Sequence, residues 1–214
     1  YLLLPVISGG ELYSVLQHQR QRGRGLSPQK AAFYAACVVE ALGHFHQREI
    51  AYRDLKLENV LIDEMGYGRV VDLGFAKIVS HKTYTLLGTP EYLAPEIIMA
   101  KGHDKAVDFW SFGVLCYELL VGVSPFFQQG STQIEMFKRI VLAKYTFPHF
   151  ISPTTKSFLE QLLQRDPVIN SGVIPVIRES ELGERRIEQV TRRVARKRTT
   201  CFVRPIHARR ESDD

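Results

Sequence analysis

The stretch YRDLKLENVLIDEMGYGRVVDLG at residues 52–74 constrains this chain more than any other feature. It places two acids, a lysine and an asparagine, Asp54, Lys56, Asn59 and Asp72, around two short apolar runs. Val60 to Ile62 and Val70 to Val71 read as strands on either side of a turn at Glu64 to Gly68, a hairpin that would bring Asn59 and Asp72 to one place. These residue types suit phosphoryl transfer, which asks a protein mainly to position an acceptor hydroxyl and to neutralise phosphate charge. Asp54 can take or orient the acceptor proton and Lys56 can meet the moving phosphate. Asn59 and Asp72 offer the oxygen ligands that Mg²⁺ prefers.

An Arg-Asp pair or an Asp-x-Gly alone usually marks an ordinary turn, so order and company decide. GTPEYLAPE follows at 88–96, then DKAVDFWSFGVLCYELLVGVSPFF at 104–127. In this succession the chain resembles the C-terminal lobe of a eukaryotic protein kinase over about residues 1–167. YRDLK, with Tyr52 where most kinases have His, GFAK at 74–77 and KGHDKAVDFW at 101–110 are similar to the AGC group, particularly the cAMP- and cGMP-dependent kinases. The fold implied is α+β and protein-kinase-like, a mainly helical C-terminal lobe with a short β-hairpin and the N-terminal lobe absent.

The resemblance implies ATP and Mg²⁺ as cofactors, Asp54 as catalytic base, Lys56 as phosphate contact, and Asn59 and Asp72 as metal ligands. Leu4 to Ile7 would be the hinge that holds adenine through backbone groups, with Pro5 and Ile7 in it and Leu61 as the pocket floor. Pro5 lacks an N–H, but the hinge asks that position only for its carbonyl. Arg53 and Lys77 would gather a phosphate on Thr85, ordering the loop KTYTLLGTPE. Thr89 would link Asp54 to Lys56, and Asp108 would hydrogen-bond the catalytic-loop backbone. Lys56 marks a serine/threonine kinase.

Substrate preference also follows from the resemblance. Glu11, Glu58 and Glu118 match acids that receive basic residues upstream of the acceptor, and Leu86, Pro90 and Leu93 match the apolar pocket for the residue after it. Singly, each Glu reads as a solvated acid; together they imply protein or peptide substrates of the Arg-Arg-x-Ser/Thr type. A cyclic-nucleotide-binding regulatory domain, in cis or in trans, is the partner implied by the group.

Several features depart from the pattern. No GxGxxG, strand lysine or helix glutamate precedes residue 1, which suggests a truncated kinase that by itself transfers phosphate poorly or not at all. Leu73 replaces the usual Phe of DFG and keeps its apolar contact with less area; Leu57 stands where Pro is common. The arginine expected to pair with Glu96 aligns with Asn170, so either another arginine such as Arg178 substitutes or the tail is an aberrant reading frame. Loss of one partner of a buried ion pair costs about 3–5 kcal/mol.

The 214 residues, 45% of them hydrophobic, suffice for one sizeable core, with a kinase domain over 1–167 and a basic tail over 168–214. The tail segment ERRIEQVTRRVARKRTT reads as solvated and disordered rather than as a basic helix. Before Arg178 no basic patch suggests nucleic acid. Cys37, Cys116 and Cys201 are far apart and form no CxxC, which fits a reducing intracellular, cytoplasmic setting without a zinc site. Phe109 to Phe127 is apolar, but Glu118, Gly122 and Pro125 favour a buried helix over a membrane span.

Residues 1–7 read as a strand entering an extended connector, with Gly9 and Gly10 letting the chain turn into a helix near 11–20. A long helix follows from Ser27 as cap and Pro28 in its first turn, with Tyr34, Val38, Ala41 and Phe45 at helical spacing. Further helices are predicted near 105–122, 132–143 and 153–164. Two other functional classes compete with the kinase. One is a noncatalytic lobe that binds peptides or proteins without phosphorylating them. The other is nucleic-acid binding by the arginine-rich tail, which would show steep salt dependence.

Overall fold

The computed structural model describes residues 5–21 and 23–167. Leu4, Asn170, Arg178, Cys201 and the tail all lie outside the described residues.

Among the described residues, six helices build most of the domain. Helix α1 (Leu12–Arg20) follows Glu11 at its N-cap, and α2 (Pro28–His46) starts where Ser27 Oγ accepts from the Lys30 N–H at 3.4 Å. Val38 is fully buried in α2 as expected, but Ala31, Leu42 and His46 complete its inner face, while Tyr34, Ala41 and Phe45 are half-buried. The reason is that α2 packs on two sides at once, against a later helix and against a strand of the hairpin. Its buried surface is therefore wider than one stripe.

Helix α3 (Pro95–Ile98) is a single turn, and α4 (Val107–Val121) is the central helix. Every residue of α4 from Val107 to Leu119 is buried, which explains its continuous apolar sequence. Gly122 ends it in the left-handed conformation, φ 92°, that glycine adopts without steric cost. Among the described residues no helix is long and apolar enough to cross a membrane. Helix α5 (Gln133–Val141) opens with a reciprocal Thr132 and Glu135 capping box, and α6 (Pro153–Leu162) with Ser152 accepting from the Thr155 N–H at 3.2 Å. Trp110 of α4 stacks on Phe126 at 5.5 Å, and both are fully buried at the centre of the core.

Two small antiparallel sheets position the loops. Strand β1 (Ile50–Ala51) pairs with β4 (Lys77–Ile78), and β2 (Val60–Ile62) with β3 (Gly68–Val70) in the register Val60 to Val70, Leu61 to Arg69 and Ile62 to Gly68. The second strand of the hairpin thus begins two residues earlier than the apolar pattern predicts. Asp63 causes this: its carboxylate accepts from the Met65 and Tyr67 N–H groups, each at 2.9 Å, so the turn closes early.

The chain before α1 also differs from expectation. Pro5 to Ile7 form no strand; the pairing falls on the next residues, where the Gly9 N–H donates to the Ile62 carbonyl at 2.9 Å and the Ile62 N–H to the Gly10 carbonyl at 2.8 Å. Pro5 has no N–H to give, and Gly9 is the residue that fits: a Cβ there would sit 2.3 Å from the Ile62 carbonyl oxygen.

Candidate active site

The site is organised around a buried carboxylate. Asp108, in the first turn of α4 and fully buried, accepts from the Tyr52 and Arg53 backbone N–H groups, both at 2.8 Å, and lies 2.7 Å from His46 Nε2 of α2. One helix thereby fixes the chain just before Asp54. Arg53 itself has φ 68°, a left-handed conformation unusual for a side-chain-bearing residue, and the Asp108 bonds hold the loop in that shape. Tyr52 ties the far side: it is fully buried, stacks on Phe45 at 5.7 Å and donates its hydroxyl to the Val71 carbonyl. Burial holds its phenol well above the ordinary value.

Against this frame the sequence-predicted residues converge. Asp54, 6% exposed, receives Lys56 Nζ at 3.0 Å, Asn59 Nδ2 at 2.9 Å and the Thr89 hydroxyl at 3.2 Å. Lys56 Nζ also donates to Thr89 Oγ1 at 3.2 Å, so Thr89 bridges acid and lysine. Asn59 sits in a 3₁₀ turn at Leu57–Asn59, and its amide nitrogen is held by both the Asp54 carbonyl and carboxylate. That leaves its carboxamide oxygen as the end suited to a hard cation.

Asp72 lies just past β3, exposed and with φ 62°, its Oδ1 accepting from the Gly74 N–H at 2.9 Å. The hairpin links it to Asn59, because the Val71 N–H donates to the Asn59 carbonyl at 2.9 Å. Two oxygen-bearing groups that flank the hairpin, one just before β2 and one just past β3, fit Mg²⁺, which takes one or two protein ligands and completes its shell with phosphate and water. Among the described residues no cluster of three His, Cys, Asp or Glu side chains could hold a metal. Leu61 is half-buried in β2 beside Glu11, with Ile7 half-buried and Pro5 exposed nearby in sequence.

The segment 83–93 closes the front of the loop. Lys77 Nζ donates to Thr83 Oγ1 at 3.2 Å, and the Thr83 and Thr85 hydroxyls are 3.4 Å apart. Arg53 donates Nε to the Phe75 carbonyl at 2.8 Å, while its buried Nη1 has no partner among the described residues. Lys77 therefore reaches Thr83 rather than Thr85, which is exposed one step further out.

The acids occupy three environments. Glu11 and Glu58 are exposed, whereas Glu118 is 8% exposed and accepts the Tyr92 hydroxyl. The Glu118 pKa is raised to about 7, first by burial and also by Glu91 and Glu58, against the Tyr92 hydrogen bond and Arg20, which pull it down. Burial and Glu58 likewise raise the Glu91 pKa. Leu86 is 64% exposed, Pro90 half-buried and Leu93 buried, so Leu93 can serve only as the floor of a pocket there.

Comparison with known proteins shows the family. The model of the protein kinase domain matches residues 1–171. The chain belongs to the protein kinase family. The kinase is 43% identical over 166 residues to cAMP-dependent protein kinase catalytic subunit 2 of Drosophila melanogaster, covering 78% of this chain and 46% of that protein. It is 45% identical over 166 residues to cAMP-dependent protein kinase type 3 of Saccharomyces cerevisiae, covering 78% of this chain and 40% of that one. To the cGMP-dependent protein kinase of Eimeria tenella it is 40% identical over 173 residues, 80% of this chain and 17% of that protein. The chain thus spans less than half the length of these relatives.

Three features of the kinase lobe escaped the sequence reading. His46 completes the Asp108 anchor, but a histidine near a helix end has no signature of its own. Leu57 is fully buried in the core, so its replacement of a common Pro is filled with apolar contact. Leu73, expected to keep the apolar contact of the usual Phe, is instead 50% exposed among the described residues, just after the Asp72 turn. Glu96 is buried and burial raises its pKa; it makes no ion pair among the described residues. The two positions considered for its cation, Asn170 and Arg178, lie outside them.

Proposed function

We propose that this chain is the acceptor-side lobe of an ATP-dependent serine/threonine kinase that modifies Ser or Thr in arginine-rich contexts. The carrying observation is the closed set Asp54, Lys56 and Thr89, with Asp54 accepting from both others and from Asn59. Asp54 would take the acceptor hydroxyl's proton, and Lys56, now resting on it, would swing its charge to the phosphate. Thr89 holds the two in register. Asn59 and Asp72 would hold Mg²⁺, which when bound neutralises phosphate charge; Pro5, Ile7 and Leu61 would line the adenine side. The buried Arg53 Nη1, without a partner among the described residues, supports an anion site there, which a phosphate on Thr85 would fill.

Glu11, Glu58 and Glu118 would receive the basic side chains of a peptide, and Leu86 and Pro90, over Leu93, the residue after the acceptor. The setting is intracellular, where ATP and buried free thiols such as Cys37 and Cys116 coexist. A cyclic-nucleotide-binding domain, in cis or in trans, would be its regulator, as the names of the relatives suggest. Residues 1–214 contain no GxGxxG, and by themselves they should bind peptide yet transfer phosphate slowly or not at all.

The test follows phosphate transfer from Mg-ATP to a peptide with two arginines ahead of a serine, in the native gene product and in its Asp54→Asn form. Turnover should fall about 10²–10⁴-fold with unchanged melting temperature. Equal rates would remove Asp54 from the chemistry.

A further inference from the structure

Beside the acids of the peptide face the chain places a run of the opposite sign. Between Glu11 and Glu40 the sequence carries Arg20, Arg22, Arg24 and Lys30 and no acidic residue. Helix α1 follows Glu11, ends at Arg20 and packs on the turn that holds Glu58. At 1.5 Å per residue it is about 14 Å long, with an acid before its first turn and a cation in its last.

The turn after α1 is pinned to the end of α4, directly past Glu118. The Leu26 N–H donates to the Leu119 carbonyl at 2.7 Å, and a Cβ at Gly25 would sit 2.3 Å from the Leu120 carbonyl oxygen, so the approach is backbone to backbone. A Cβ at Gly122, which ends α4, would touch the Arg24 carbonyl at 3.6 Å, and a cation there suits the negative end of a helix. Arg20 and Arg24 are exposed, and neither enters an ion pair among the described residues. Arg20 still acts on the neighbouring acids. Burial first and then Glu58 raise the Glu91 pKa while Arg20 lowers it, and Arg20 also lowers that of Glu118, whose rise is led by burial.

We propose that Arg20 and Arg24 form a further subsite of the peptide face, one that takes a carboxylate upstream of the arginines in the same substrate. This subsite rests on the basic-substrate reading of Glu11, Glu58 and Glu118 and narrows it: the preferred peptide carries an acidic stretch, then two arginines, then the Ser or Thr. An extended peptide advances about 3.3 Å per residue, so about four residues cover the length of α1. With a cation about three residues ahead of the acceptor on Glu11, an acid about six to eight residues ahead falls beside Arg20. The guanidinium fork donates two parallel bonds to a carboxylate, which Lys could not match. Because exposed pairs contribute little each, the subsite sorts basic peptides among themselves and leaves most of the affinity to the glutamates. It also rejects the reversed order, since cations far upstream meet arginines and acids near the acceptor meet glutamates.

The experiment titrates the 214-residue chain at low ionic strength into fluorescent Asp-Asp-Asp-Gly-Leu-Arg-Arg-Gly-Ser-Leu-Gly or its Asn-Asn-Asn counterpart and reads anisotropy. Wild type, Arg20→Gln/Arg24→Gln and Glu58→Gln are compared. Wild type should bind the aspartate peptide roughly fivefold more tightly than the asparagine peptide, the effect of two exposed charge pairs. The double variant should lose that preference and bind the asparagine peptide at least as tightly as wild type does, while Glu58→Gln should weaken both peptides. Equal binding of the two peptides by wild type, with both weakened by Glu58→Gln, would overturn the subsite and leave the basic-substrate reading standing. A preference that survives in the double variant would place the aspartates on other cations and overturn it as well. Binding indifferent to Glu58→Gln would end the basic-substrate reading and the subsite together.

Discussion

Asp108 illustrates how much of the proposed phosphotransfer site depends on a group that would never meet the substrate. Its two oxygens receive two backbone N–H groups and a histidine nitrogen in a fully buried setting. Asparagine has the same shape but one acceptor oxygen and an NH₂, so Asp108→Asn turns a donor toward either Tyr52 or Arg53. An unsatisfied buried donor costs about 1–3 kcal/mol. Chemical denaturation should show a loss of that size, and wild-type stability in Asp108→Asn would mean that the loop is held by something else. Thr85 tests the other side of Arg53. If its phosphate fills the place beside Arg53 Nη1, which has no partner among the described residues, Thr85→Ala should lower turnover of the native gene product several-fold while leaving the melting point of the unphosphorylated protein in place. Unchanged turnover would separate Thr85 from activity. At this scale the motif made Asp108 and Thr89 legible, because their residue types and order suffice. Glu118 was only half legible: its position could be read, but the burial that changes its chemistry depends on α4 being enclosed on all sides.

The elements were legible in proportion to their length. The long helices announce themselves through caps and periodicity, as at Ser27 with Pro28 and at Thr132 with Glu135. The two-residue strands β1 and β4 and the single turn α3 are too short to carry a period, and their pairing partners are distant in sequence. The displaced start of β3 shows the same limit, since a side chain in the turn, Asp63, decided the register. Glycines give the elements opposite tolerances. At Gly9 an added Cβ would meet the Ile62 carbonyl oxygen at 2.3 Å, and backbone cannot rotate away as a side chain would. Gly43, inside α2, has nothing within 4 Å of such a Cβ. Gly9→Ala should lose about 1–3 kcal/mol through overpacking, whereas Gly43→Ala should gain roughly 0.5–1 kcal/mol from helix propensity. Thermal melts of the two variants should move in opposite directions; a common direction would mean that the close approach of residues 9–11 to β2 is not a fixed feature.

For the molecule as a whole, the acids proposed to face a peptide set function against stability. Glu118 has an ordinary carboxyl pKa of 4.5 when unfolded and about 7 in the folded lobe, raised first by burial. A raised folded pKa contributes stability that is fully present below 4.5 and is lost as pH rises through about 7, because the unfolded chain gives up its proton first. At roughly 1.4 kcal/mol per pH unit, the loss across this window is about 3 kcal/mol, a sizeable share of the 5–15 kcal/mol typical of a domain. An arginine from a peptide prefers the ionised carboxylate, so affinity for basic peptides should rise over the same window in which stability falls. Glu118→Gln removes the titration while keeping an oxygen for the Tyr92 hydroxyl. Urea denaturation at pH 4.5 and pH 8 should show wild type losing stability between the two and Glu118→Gln losing about 3 kcal/mol less. The same variant should bind the two-arginine peptide more weakly at pH 8. Parallel pH profiles for the two proteins would mean that Glu118 is ionised throughout, and that the acid-lined face is held at its full charge without cost to the fold.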